Sequence, residues 1–167
     1  MLEIPESATV SRQAGNLLVN KTISEVFTAT SPHKFAFYSG DPAGYGNLLT
    51  GKRIISANGH GMFVDLICSD NICITIGEGI NMRYHEPGSG IPDKYQLLIA
   101  FSDNAYLSFN VAMYGGIWAY KGGFENKYHQ LSLNSISPLT DEFEEEHFDN
   151  IIRNTVKDLS AKSLLAT

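Results

Sequence analysis

Tyr95-Gln-Leu-Leu-Ile-Ala-Phe101, Ser102-Asp-Asn-Ala105 and Tyr106-Leu-Ser-Phe-Asn110 read as strand, turn and strand. The first run is apolar and aromatic, the turn is small and polar, and the second run alternates, which together make a hairpin. Working outward toward the N-terminus, Met62–Ile67 and Ile72–Ile76 are further β segments around the turn Ser69-Asp70-Asn71. Lys52–Ala57 is a strand predicted to end at Asn58-Gly59, a pair that tolerates positive φ. Lys21–Phe27 and His33–Tyr38 read as strands, the latter with Phe35 and Phe37 on one face. Gly40–Gly46 and His85–Asp93 read as loops, and Gly77, Gly79 and Asn81 as an interruption of regular structure. Toward the C-terminus, Ile117–Tyr120 is a last short strand closed by Gly122-Gly123. About seven or eight short strands imply two packed antiparallel sheets or a flattened barrel.

Both ends of the chain read as helical. At the start, Pro5 suits a first helical position, and Val10, Ala14, Leu17 and Leu18 recur on one face. Glu3 and Glu6 lie beside the α-amino group of Met1, whose ordinary pKa of about 8 suits a Schiff-base nucleophile. The same two carboxylates fit plain dipole-matched capping of a helix. Composition changes near Ser135-Ile-Ser-Pro138. Beyond it, Thr140 can cap a helix with Asp141, Glu142 and Glu144 in its first turn and Phe143, His147, Phe148, Ile151 and Ile152 on its apolar side. A second helix is expected over residues 154–165.

A length of 167 residues suits one domain with a real core and a smaller appended element. No apolar run reaches transmembrane length and no secretory layout opens the chain, so a cytoplasmic protein without membrane partners is expected. Cys68 and Cys73 are too few to staple the fold and are expected to be reduced, structural thiols. The five histidines are scattered and no Cys-x-x-Cys pair exists, which gives a metal site little support. Net charge is −6; residues 1–136 carry 9 basic and 11 acidic side chains, residues 137–167 carry 3 and 7. Neither balance suits a protein whose affinity rests on neutralising phosphates.

In order along the chain, several segments resemble the formamidopyrimidine-DNA glycosylase and endonuclease VIII family. Met1-Leu-Glu-Ile-Pro-Glu-Ser-Ala-Thr-Val10 is similar to the family opening Met-Pro-Glu-Leu-Pro-Glu-Val-Glu-Thr-Val. Gly51-Lys-Arg-Ile54, Gly59-His-Gly-Met-Phe63, Gly79-Ile-Asn-Met-Arg83, Asn110-Val-Ala-Met-Tyr-Gly115 and Ser137-Pro-Leu-Thr-Asp-Glu-Phe143 resemble its later motifs. The resemblance implies mainly β architecture with helices: an N-terminal helix and a two-layer antiparallel β-sandwich over residues 1–134. The start of a helix-two-turn-helix DNA-binding domain over 135–167 would follow, before the part of the family that ends in a zinc or zincless finger. No cofactor is implied within residues 1–167.

The departures from that pattern bear on chemistry. Family members attack the damaged nucleoside through the secondary amine of an N-terminal proline, and that place holds Leu2. Glu3 and Glu6 match the family's catalytic and second carboxylates. His60 replaces a hairpin lysine that grips phosphate, Ile80 a void-filling methionine, and Ala112-Met113 an arginine pair. Arg83 and Tyr114 keep a cation and an aromatic wedge at places that face DNA. The resemblance therefore implies a divergent glycosylase and abasic-site lyase with impaired excision, holding damaged or abasic DNA weakly, or serving a protein or small-molecule partner instead. The alternative is an active enzyme in which the amine of Met1 works with Glu3.

Overall fold

In the computed structural model, which describes residues 2–29 and 33–154, the central apolar run becomes β7 (Leu97–Phe101), buried at all five positions. It lacks alternation because both of its faces are covered. Leu97, Ile99 and Phe101 face the core with Leu107 and Phe109 of β8 (Tyr106–Val111). These strands join β1 (Ile23–Thr28) and β6 (Ile80–His85) in a four-stranded antiparallel sheet ordered β1-β7-β8-β6. The second sheet is ordered β2-β9-β5-β4-β3, from β2 (Ala36–Tyr38), β9 (Gly115–Lys121), β5 (Ile72–Ile76), β4 (Phe63–Cys68) and β3 (Ile54–His60). Ile54, Leu66, Ile74, Ile76 and Ile117 bring it to the same core. Each such aliphatic side chain contributes about 1.5–3 kcal/mol when fully buried. The result is the two-layer β-sandwich expected from the sequence, with nine strands among the described residues.

Several local expectations are corrected. The pair β2–β9 runs parallel, alone among the named pairs. Asn58-Gly59 is not a turn: β3 continues through it, with Asn58 opposite Asp65, Gly59 opposite Val64 and His60 opposite Phe63. The chain reverses two residues later, where Gly61 takes a φ of +52°. Gly59 is required for a different reason. Helix α1 (Ile4–Leu18) packs on β3 and β4, and a Cβ on Gly59 would stand 2.2 Å from the carbonyl oxygen of Ser7. Asn81 lies within β6 rather than interrupting it. The segment read as a glycine-rich loop holds a 3-10 turn, Pro42–Gly44, and a short helix α2 (Tyr45–Leu49) that buries Tyr45 and Leu49. Helix α3 (Lys127–Asn134) lies in a stretch to which sequence periodicity assigned nothing.

Two compact units divide the chain, residues 1–133 and 134–167. In the second, the helix α4 (Glu145–Asn154) starts later than Thr140 capping predicts, with Glu145 and Glu146 in its first turn. Residues 137–143 instead form successive turns closed by bonds from Thr140 N–H to Ser137 and from Phe143 N–H to Thr140. The helix expected over 154–165 falls almost wholly outside the described residues. No helix among the described residues is long and apolar enough to cross a membrane.

Candidate functional site

The first turn of α1 carries the proposed acid residues. Glu3 is the N-cap residue, with extended backbone (φ −115°, ψ 176°), and Pro5 falls in the first turn, where its missing N–H leaves no bond unmade. Glu6 reaches back so that the Glu3 N–H donates to its Oε2 at 3.1 Å, completing a capping box. Both glutamates are exposed, and Leu2 packs its side chain against the sandwich core. Met1 lies outside the described residues. The helix end is tied to the β3–β4 hairpin by the buried Ser7, whose Oγ donates to the carbonyls of Ile4 (3.0 Å) and Gly61 (2.9 Å).

That hairpin directs His60 inward. Its Nδ1 is 2.7 Å from Ser132 Oγ of α3, and its Nε2 is 2.9 Å from Oδ2 of Asp65 on β4. Asp65 also receives His129 of α3, whose Nε2 lies 3.1 and 3.0 Å from the two carboxylate oxygens. Thr75 of β5 donates to Asp65 Oδ1 at 2.6 Å, and Tyr120 of β9 donates to Thr75 at 2.9 Å. Asp65 is 6% exposed and His129 4%. Burial works to raise the Asp65 carboxyl, yet the close contact with His60, the bond from Thr75 and the proximity of His129 hold it below the usual carboxylate range. Phe63 and Phe124 flank the His129 ring at 5.2 and 5.1 Å between centroids, so the cluster sits among aromatic walls. On its outer side, a cleft of about 440 Å³ is lined by Asn58, Asp65, Cys73, Tyr120, Phe124 and His129.

The other two site residues lie elsewhere. Arg83 is exposed on β6 opposite Ser108; burial and the Arg83 charge together lower His85, two residues along the strand. Tyr114, 47% exposed, stands in the turn between β8 and β9 beside Met113, 73% exposed. The turn is seated on Gly79, whose N-terminal neighbours precede β6. Gly79 has a φ of +80° and accepts from the Ala112 N–H at 3.0 Å, and a Cβ there would meet Tyr114 O at 1.8 Å. Met113, Tyr114, His33 and Phe35 line a shallow, mainly apolar hollow of about 550 Å³. Ile80, at the methionine place, is 7% exposed and belongs to the core.

The structure therefore brings the first turn of α1 together with the His60 hairpin. Sequence reasoning missed Asp65, His129, Thr75 and Ser132. Asp65 did carry a signal, as the single charge in the apolar run Met62–Ile67. Two of the five scattered histidines converge on it.

No family model matches the chain. It is 27% identical over 168 residues to a formamidopyrimidine-DNA glycosylase of Lactobacillus helveticus (strain DPC 4571), a match covering 95% of this chain and 57% of that protein. The chain thus spans a little over half the length of that curated relative. Among solved structures it is similar to the Lactococcus lactis Fpg in complex with DNA containing an abasic site, with a TM-score of 0.69 at 19% identity, over 91% of this chain and 56% of that one. It is also similar to MutM in complex with DNA containing carbocyclic 8-oxo-G, with a TM-score of 0.58 at 21% identity, over 71% and 43% of the two chains. In sequence the chain is similar to the first part of a formamidopyrimidine-DNA glycosylase, and in architecture it shares the β-sandwich fold of these solved glycosylase structures.

Proposed function

We propose that the chain is a divergent relative of these glycosylases that does not perform their usual base excision and abasic-site cleavage, and that it holds damaged or abasic DNA weakly. The observation that carries this reading is the fate of His60. At the place of a phosphate-gripping lysine stands a side chain turned into the protein, with both ring nitrogens bonded. The first turn of α1 supports it: Leu2 offers no ring amine and packs on the core, and Glu6 is engaged in a capping bond. Ala112 and Met113 add no charge where an arginine pair would hold the backbone. What remains for DNA is the exposed Arg83 and the aromatic Tyr114, a cation and a stacking surface.

Borohydride trapping of the full chain on abasic-site DNA, followed by peptide mapping, tests the chemical half. No covalent adduct at the N-terminal residue is expected even at high protein concentration. An adduct there that Glu3→Gln diminishes would establish the alternative, a substitute amine working with Glu3. Binding to abasic, oxidised and undamaged duplexes across a salt series tests the other half. Tight, damage-selective and steeply salt-dependent binding would contradict the proposal.

A further inference from the structure

We propose that His60, Asp65 and His129 form a binding site for one divalent transition-metal ion of the zinc class, clamping the β3–β4 hairpin to α3. The argument begins with a count of hydrogens. Ser132 Oγ owns one and donates it to the carbonyl of His129 at 2.8 Å. The 2.7 Å contact between Ser132 Oγ and His60 Nδ1 therefore takes its hydrogen from the imidazole. A neutral His60 protonated at Nδ1 presents a bare lone pair at Nε2. That lone pair faces Asp65 Oδ2 at 2.9 Å, and Asp65 already accepts from Thr75. Two acceptors at this distance need a cation between them.

The surroundings favour a metal over a lone proton. A second imidazole nitrogen, His129 Nε2, approaches both Asp65 oxygens almost equally, at 3.0 and 3.1 Å, rather than aiming one hydrogen at one of them. The ligand atoms of the three residues all lie within 4.8 Å of one another. Metal–nitrogen and metal–oxygen bonds of about 2.0–2.1 Å span donors roughly 3.0–3.4 Å apart, so small ring movements suffice. His129 Nδ1 is buried without a hydrogen-bond partner, so the polar contacts of this ring all lie on its Nε2 side, toward Asp65. The Ser132 bond to His60 Nδ1–H is the kind of outer contact that orients a ligating histidine. The cleft lined by Asp65 and His129 gives the ion a route in and room for water on its open side. Two imidazoles with one carboxylate select zinc-like ions over magnesium or calcium.

The test uses the full chain stripped with a chelator, then titrated with ZnCl2 by calorimetry and thermal melting and with CoCl2 by absorption. One ion per chain is expected, with a raised Tm and visible cobalt bands that zinc abolishes. His60→Gln and His129→Gln should each weaken binding by about ten-fold or more, while His33→Gln should leave it unchanged. Should either variant fail to fold, nitrogen-15 spectra of the wild-type imidazoles still decide. Zinc should move the Nε2 resonances of two histidines. No stoichiometric binding by the wild type, or binding that survives both substitutions, would overturn the proposal and leave the two histidines as polar contacts of Asp65 alone.

Discussion

Two turns of the sandwich stand at places where the family resemblance expects basic side chains, and they have lost that character in opposite ways. In the β3–β4 hairpin the side chain that should face phosphate is folded inward onto a buried carboxylate. In the β8–β9 turn the residues at the arginine places, Ala112 and Met113, are exposed and apolar, beside the exposed Tyr114. The first turn is held by polar bonds from three elements: Ser7 of α1 to Gly61, Ser132 of α3 to His60, and Asp65 of β4 to His60. The second is held by backbone seating on Gly79. The difference separates two effects of one kind of substitution. In the hairpin the side chain is taken into the polar bonding of the fold, whereas the β8–β9 turn presents exposed, apolar side chains.

Asp65→Ala should break this contrast most severely. It removes the carboxylate on which His60, His129 and Thr75 converge. Removing one partner of a buried charged network costs about 3–5 kcal/mol. Urea denaturation should show a loss of that size, whereas Met113→Ala in the other turn should change stability by no more than about 0.5 kcal/mol. Equal effects would dissolve the distinction.

The thiols beneath the hairpin provide a second measure. Burial pushes Cys68 up to about 12, and burial and the Asp65 charge push Cys73 up to about 11. Both are free and buried, with Cys73 Sγ 3.6 Å from Thr75 Oγ1. At pH 8 their thiolate fractions should make labelling slower than that of an ordinary thiol by about 200-fold at Cys73 and about 2,000-fold at Cys68. The sign for stability follows from the raised values. Below the unfolded thiol pKa, about 8.5, the contribution is fully present, and it declines as pH rises through the folded values. Between about pH 9 and 12 the double variant Cys68→Ala/Cys73→Ala should therefore lose less stability, relative to its own neutral value, than the wild type does, as urea melts across that range will read.

Gly59→Ala asks whether the polar hairpin depends on the close seat of α1. The added methyl would stand 2.2 Å from Ser7 O and 2.8 Å from Ser11 Oγ. The helix must move, and overpacking of this kind costs about 1–3 kcal/mol. The bond from Ser7 to Gly61 should weaken with it, visible as faster amide exchange around Gly61–Phe63.

What the sequence disclosed followed from local signals. The hairpin around Ser102–Ala105 and the turn at Ser69–Asn71 were legible because strand patterns and turn residues coincide there; Asp70 and Asn71 do take positive φ. Asn58-Gly59 misled because a glycine can serve close approach as well as turning, and the helix it accommodates lies some fifty residues upstream. The buried cluster was hidden for the same reason. Its members come from β3, β4, β5 and α3, and the pairing of His60 with His129 across 69 positions is a product of topology. A single buried charge at Asp65 was the one local hint, and it named no partner.

The smallest expected effect tests the outward turn. Met113→Arg restores one cation at a position that is 73% exposed, so the fold has little reason to object. If this turn lies against a DNA backbone as the resemblance implies, one added phosphate contact should release about 0.9 counterion. The plot of log affinity against log salt should steepen by about that amount, with affinity gained chiefly at low salt. The matched substitution His60→Lys should not act the same way, because its ammonium would enter a buried pocket beside Asp65 rather than reach a phosphate. Steepening at position 113 alone would show that the β8–β9 turn still faces nucleic acid while the hairpin has left that surface. Steepening at both positions would return the hairpin to the DNA interface, and a flat response at both would remove the sandwich from DNA altogether.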